Sequence, residues 1–194
     1  MTHKIFHSDL PLIDYDFPSH YNQKITNSIN SLKFEDLKEV VKYNRLLEEM
    51  KSNFSLNQVN FGKPEIVNHR VEEVNMQANY EYPRAIKVKV FKINVEIQFT
   101  GSLELFNYRP NGYTHSSNGL EIYQPLNNKI SLEITSTSLS DKENIFKEIA
   151  KDMELTYQFI DSNNKFIQEW NKNVNEIIDT KLNDYRNILL NLYN

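Results

Sequence analysis

Between Ala85 and Pro110 the sequence AIKVKVFKINVEIQFTGSLELFNYRP alternates apolar with polar residues, and such a chain must lay one side of an extended strand against a core. Ile86, Val88 and Val90 hold one phase, with Lys87 and Lys89 opposite. Phe91, Ile93, Val95, Ile97 and Phe99 hold the other, with Lys92, Asn94, Glu96 and Gln98 opposite. A one-residue slip exchanges the two faces of a strand, so a continuous strand is expected to carry a β-bulge at Val90–Phe91. Gly101 then permits a turn or a close backbone approach before Leu103 and Leu105.

The flanks supply the rest of an α+β domain. Ser19 is the expected N-cap of a helix over His20–Ser31, whose stripe is Tyr21, Ile25 and Ile29. A second helix, Phe34–Asn53, groups Leu37, Val40, Val41 and Leu47 on one face. From Leu56 to Tyr82 the apolar residues predict one or two short strands around the Gly62–Pro64 turn. Turn formers fill Asn107–Asn118, where Pro110 and Gly112 supply the φ values a turn needs. Leu120–Gln124 and Ile130–Thr135, separated by Asn127-Asn128, read as a hairpin.

Ser140–Tyr193 contains neither Gly nor Pro, and Ser140–Glu143 opens it as a capping box. Ile149, Met153, Ile160, Ile167, Trp170 and Val174 form a near-heptad seam, which continues through Ile178, Leu182, Tyr185, Leu189 and Leu192 with more steps of four. Unbroken, the helix would run ~80 Å at about 1.5 Å per residue. A compact domain of this length is only ~35–40 Å across. The helix is therefore expected to bend back or to project. The polar clusters Asp161–Asn164 and Asn171–Asn175 are the two places for a break, the second coinciding with the change of period. A projecting second half predicts a partner interface over residues 174–193 built on Ile178, Leu182, Tyr185 and Leu189. The expected fold is thus one α+β domain, 1–194: N-terminal helices over 1–55, a mainly antiparallel sheet over 56–136, and a long C-terminal helix or bent helix pair over 137–194.

Composition bounds the chemistry. With no Cys, disulfides, thiolate metal sites and a Cys nucleophile are excluded. The four Gly form no phosphate-binding loop, HExxH is absent, and no Ser sits in a GxSxG turn. His3 and His7 lack further ligands, and His115 reads as a loop residue. No catalytic residue, metal or cofactor is assigned. A net charge of -4 argues against a general polyanion binder. A local nucleic-acid face remains open, from Arg84, Tyr108, Arg109 and Tyr113 with Arg70, Lys87, Lys89, Tyr80 and Tyr82. Glu96-Ile97-Gln98 has the E-x-Q spacing of metal-dependent nucleases, on the polar face of the strand. No apolar run reaches the length of a membrane span and the N-terminus has no signal-like apolar stretch, so a cytoplasmic protein is expected.

Several phrases together resemble a family of small bacterial proteins of anti-phage defence neighbourhoods. They are Phe17-Pro18-Ser19-His20-Tyr21, Phe99-Thr100-Gly101 with Leu103–Phe106, Tyr108-Arg109-Pro110, and Trp170-Asn171 with Val174, Ile178, Leu182 and Arg186. The resemblance spans most of the chain and carries no catalytic residue. It implies an accessory, partner-binding subunit beside a larger effector such as an ATPase or nuclease, or a homo-oligomer. A nucleic-acid or nucleotide sensor and a divergent metal-dependent nuclease are the alternatives.

Overall fold

A computed structural model describes residues 10–76, 86–111, 127–140 and 142–193. The element order is α1 (Asp16–Asn30), α2 (Phe34–Lys38), α3 (Val40–Phe54), β1 (Asn60–Met76), β2 (Ile86–Thr100), a 3-10 turn (Leu103–Asn107), β3 (Lys129–Ser136) and α4 (Lys142–Tyr193). The fold is α+β, with a three-stranded antiparallel sheet in the order β1-β2-β3.

The C-terminal segment neither bends back nor breaks. α4 is one helix of 52 residues, buried in turn at Ile145, Ile149, Met153, Thr156, Ile160, Asn163, Ile167, Trp170, Val174, Ile178 and Leu182. It has two sets of neighbours. Its first half lies beside β3 and the 3-10 turn, over the sheet side of the core. Its second half is covered by the N-terminal helices. Phe17 meets Phe166 and Trp170 edge-on, and Lys181 and Tyr185 reach Thr26 and Asn30, so α1 runs parallel to it. Phe54, Lys51 and Tyr43 meet Trp170, Asp179 and Arg186, so α3 runs antiparallel. The helix is a spine shared by two layers, which removes the conflict between its length and the width of a globule.

The polar clusters expected to break this helix instead fasten the chain to it. Asn164 Oδ1 accepts from Val59 N–H at 2.8 Å, and its Nδ2 donates to Val59 C=O at 2.8 Å. Asn171 does the same to Leu56, at 3.0 and 2.6 Å. The two amides stand seven residues apart, about 10.5 Å along the axis. Leu56 and Val59 stand three apart, about 10 Å of extended chain. The side chains thus act as a partner strand for the connection between α3 and β1. Next to Asn164, buried Asn163 donates to Leu105 C=O and Tyr108 C=O, both at 2.9 Å. Its Oδ1 has no donor. That unmet acceptor, a cost of ~1–3 kcal/mol, is offset by two bonds that cap otherwise orphaned carbonyls. On the other side of the same connection, Gly101 has φ +105°, and a Cβ there would stand 2.1 Å from Gln58 O. Asn57 and Ser102 close this seam, with Ser102 N–H to Asn57 C=O at 3.0 Å and Asn57 N–H to Ser102 Oγ at 2.8 Å.

The N-terminal helices depart from expectation in two places. α1 starts at Asp16, three residues before Ser19, because Asp16 Oδ2 accepts from Leu12 N–H at 2.6 Å and fixes the first turn. Pro18 falls in that turn, where its missing N–H has no intrahelical acceptor to lose. The second helix is two. At Glu39 the backbone is extended (φ -87°, ψ 124°), which turns Leu37 fully into the core while Arg186 Nε satisfies Leu37 C=O at 2.8 Å. Val40 and Val41 rotate out of the expected apolar face and are exposed.

In the sheet, Ile93, Val95, Ile97 and Phe99 are buried with Ile130, Leu132 and Ile134 across the ladder, and Phe91 is half-buried. The expected bulge at Val90–Phe91 is absent, since Val90↔Glu72, Phe91↔Val71 and Lys92↔Arg70 follow in register. Both register shifts fall between Phe61 and Pro64 and between Ile66 and Asn68, on β1, which is one strand of 17 residues and not two short ones. The phase change in β2 marks a change of covered face: Val90 is buried opposite Ile93, outside the main cluster. Asn127 and Asn128 take positive φ before β3, as a tight hairpin turn requires. Leu120–Gln124, the other arm of that hairpin, and Asp141 of the capping box lie outside the described residues.

Replacing Asn164 or Asn171 by Ala leaves a partly buried N–H and C=O unmatched. Each change is expected to cost ~1–3 kcal/mol in urea denaturation, against less than ~0.5 kcal/mol for exposed Asn175→Ala. Equal sensitivity at all three positions would contradict the fastening role. Gly101→Ala is expected to cost at least ~2 kcal/mol, since it combines strain with a clash against fixed backbone.

Candidate interaction surfaces

The residues singled out for partner binding divide by burial. Ile178 and Leu182 are fully buried and belong to the core made with the N-terminal helices. Tyr185 and Leu189 are partly buried against the same core, with Tyr185 Oη 3.4 Å from Asn30 C=O and from Leu32 C=O. Within residues 174–193, Ile178 and Leu182 are thus turned toward α1 and α3 and do not serve as exposed anchors.

Among the described residues, several of the exposed apolar side chains lie at the end of the helical layer. Ile188, Leu192 and Tyr193 are exposed by 55%, 71% and 67%, and Val40 and Val41 by 61% and 81%. These belong to one end of the molecule, because Phe34 stacks on Tyr193 at 4.9 Å, and Arg186 holds Leu37 and lies over the Tyr43 ring. The sequence carried a signal for one of these groups. Val40 and Val41 follow the extended Glu39, where a new helix begins and the face set by Leu37 is no longer continued. Ile188 and Leu192 are four apart, on a stripe rotated from the Leu182–Tyr185–Leu189 seam. Two hollows, of about 420 and 220 Å³, adjoin between α1 and α4 and share Lys181, whose Nζ donates to Thr26 Oγ1 at 3.0 Å. A third, of about 420 Å³, opens where β1 begins, between Phe61, Gly62, Tyr157 and Asp161; burial raises the Tyr157 phenol above its ordinary pKa.

Of the nucleic-acid set, the structure describes Tyr108, Arg109, Arg70, Lys87 and Lys89. Arg84 and Tyr113, with Tyr80 and Tyr82, lie outside the described residues. Tyr108 is buried: its ring meets Phe17 edge-on and its hydroxyl lies 3.1 Å from His20 Nδ1. Burial, then the carboxylates of Asp16 and Glu104, raise its phenol pKa, and the buried ring offers no free face for stacking. Arg109 Nε donates to Leu10 C=O at 2.9 Å, while its backbone bridges Pro11 and Ile13. Its guanidinium thereby ties the N-terminal segment to the chain after the 3-10 turn. Arg70 faces the side of the sheet opposite Lys87 and Lys89, because positions 70 and 92 pair while 73 and 89 pair.

Arg70's face carries its own counter-charges. Arg70 reaches Glu72 and Glu133 at 2.8 Å each, and Lys129 reaches Glu96 at 2.7 Å. Glu96, the acidic residue of the E-x-Q spacing, is thus held by a lysine on the solvent side of the sheet. Among the described residues no three His, Asp or Glu side chains converge as a metal site would need, and no helix is long and apolar enough to cross a membrane. No protein-family model, curated protein or solved structure matches the chain.

The burial split has a direct consequence. Leu182→Glu is expected to unfold the protein or cost upwards of ~3 kcal/mol, because it places a carboxylate among apolar side chains without a partner. Leu192→Glu is expected to change stability by less than ~0.5 kcal/mol. Thermal denaturation of the two variants checks this, and a tolerated Leu182→Glu would contradict the packing.

Proposed function

We propose that this chain is a non-catalytic accessory subunit that binds a protein partner, and that the partner is a larger effector of a bacterial anti-phage system. One observation carries the partner-binding part: the bare apolar end formed by Val40, Val41, Ile188, Leu192 and Tyr193. Large apolar side chains left exposed together at one end of a layer support an interface there. The groups that would serve other readings are engaged in holding the fold. Tyr108 pairs with His20 of α1, Arg109 holds the segment before α1, and Glu96 accepts from Lys129. The anti-phage setting and the effector's class, an ATPase or nuclease, rest on the resemblance of the sequence phrases alone.

The test is co-purification of the tagged chain with the products of adjacent genes, for wild type and for Val41→Glu with Leu192→Glu. Both positions are exposed, so the double variant is expected to keep the wild-type melting temperature. The reading expects a stoichiometric complex that the double variant loses. A neighbour product bound equally by both proteins, or none bound by wild type, would overturn it. Turnover of DNA, RNA or NTP by the isolated chain, abolished by one point mutation, would overturn its non-catalytic part.

A further inference from the structure

β1 is one of the two edge strands of the sheet, and no described strand pairs with its outer edge. Its two halves differ. Asn60–Val67 contains both bulges and Pro64, devices that prevent another strand from adding. From Asn68 to Met76 the ladder with β2 runs without a shift, and the sequence has neither Gly nor Pro. Regular, unblocked edges of this length are templates for strand addition unless charge repels the incoming strand. Here the charges decide which strand can be added.

We infer that a second copy of this chain pairs antiparallel with β1 along this edge, about a two-fold axis at Val71. Partners across an antiparallel pair share a face, so a two-fold normal to the sheet must pass beside one residue. Centred on Val71, the pairing sets Arg70 against Glu72 of the second copy, twice, and His69 against Glu73, twice. Val71, 55% exposed in the single chain, meets its own counterpart, and Asn68 meets Val74. The neighbouring centres fail: at residue 70 two arginines face each other, and at 72 or 73 two glutamates do. Like charges directly opposite destabilise a pair and opposite charges support it. Arg70 already holds Glu72 on the outer face of the sheet, so that carboxylate lies beside the place where the second Arg70 arrives. The result is one sheet of six strands. A single pair of strand edges buries less than the ~800 Å² per partner of a standard interface, so the dimer dissociates on dilution.

This contact is separate from the apolar end of the helical layer, and its test does not involve that end. Sedimentation equilibrium of the full chain over a range of concentrations is expected to show a monomer–dimer equilibrium. Arg70→Glu sets glutamates against Glu72 of the second copy, and Glu72→Arg sets arginines against Arg70. Each is expected to be monomeric at concentrations where wild type is dimeric. Mixed in equal amounts they regain complementary pairs and are expected to dimerise like wild type. Val71→Lys, at a position with no ion pair, supplies a third variant expected to be monomeric through repulsion at the axis. Wild type that stays monomeric, variants that dimerise as wild type does, or a mixture that remains monomeric would each overturn the inference.

Discussion

The structure depends on the hydrogen bonds between the inward asparagines of α4 and the backbone of the segments that cross it. Three connections meet at its middle: residues 10–16 before α1, 55–60 between α3 and β1, and 101–109 after β2. Each carries backbone groups that neither helix nor sheet can satisfy, and leaving them unpaired away from water costs about as much as the packing gains. Asn163, Asn164 and Asn171 satisfy the second and third, while the bridge between Leu12 and Arg109 joins the first to the third. Apolar burial sets which faces meet. The amides set where along the helix they meet, because a seven-residue step on a helix and a three-residue step on extended chain span nearly the same length.

That arrangement explains why a 52-residue helix suits so small a protein. Neither layer alone covers it. The helical layer takes the stretch around Phe166 to Arg186, the sheet and 3-10 turn take the stretch before it, and the joint between the layers lies at the asparagines. The spine is then the one element that both halves require, and the two layers leave surfaces of different character exposed. At the C-terminal end exposed apolar residues remain, which supports the partner-binding reading. On the sheet side the exposed edge is charged and self-complementary.

Much of this was legible in the sequence, and the misreadings share a cause. The alternation in β2 located the buried face from Ile93 to Phe99, and the seam of α4 located its buried residues from Ile149 to Leu182. Periodicity reports which side of an element is covered; it says nothing of what does the covering. Leu182 therefore looked like an overhang, although α1 and α3 pack over it. Asn164 and Asn171 looked like helix breaks because polar residues are read as solvent-facing, when their partners were backbone groups remote in sequence. The phase slip at Val90–Phe91 looked like a bulge because a change of covered face gives the same pattern. Tyr108 and Arg109 looked available because a Tyr-Arg-Pro phrase beside turn formers does not reveal that Phe17, His20 and Leu10 enclose it. Long-range hydrogen bonds are the level that single-sequence patterns miss.

Native-state amide hydrogen exchange at Leu56 and Val59 tests the central claim most directly. Both lie in a connection with no strand partner, where an ordinary loop would exchange within seconds. If Asn171 and Asn164 hold them as a strand would, their exchange is slowed to the level of the Ile93–Ile97 amides and tracks global unfolding. Exchange at those two amides as fast as in an unstructured peptide, with β2 still protected, would contradict the account.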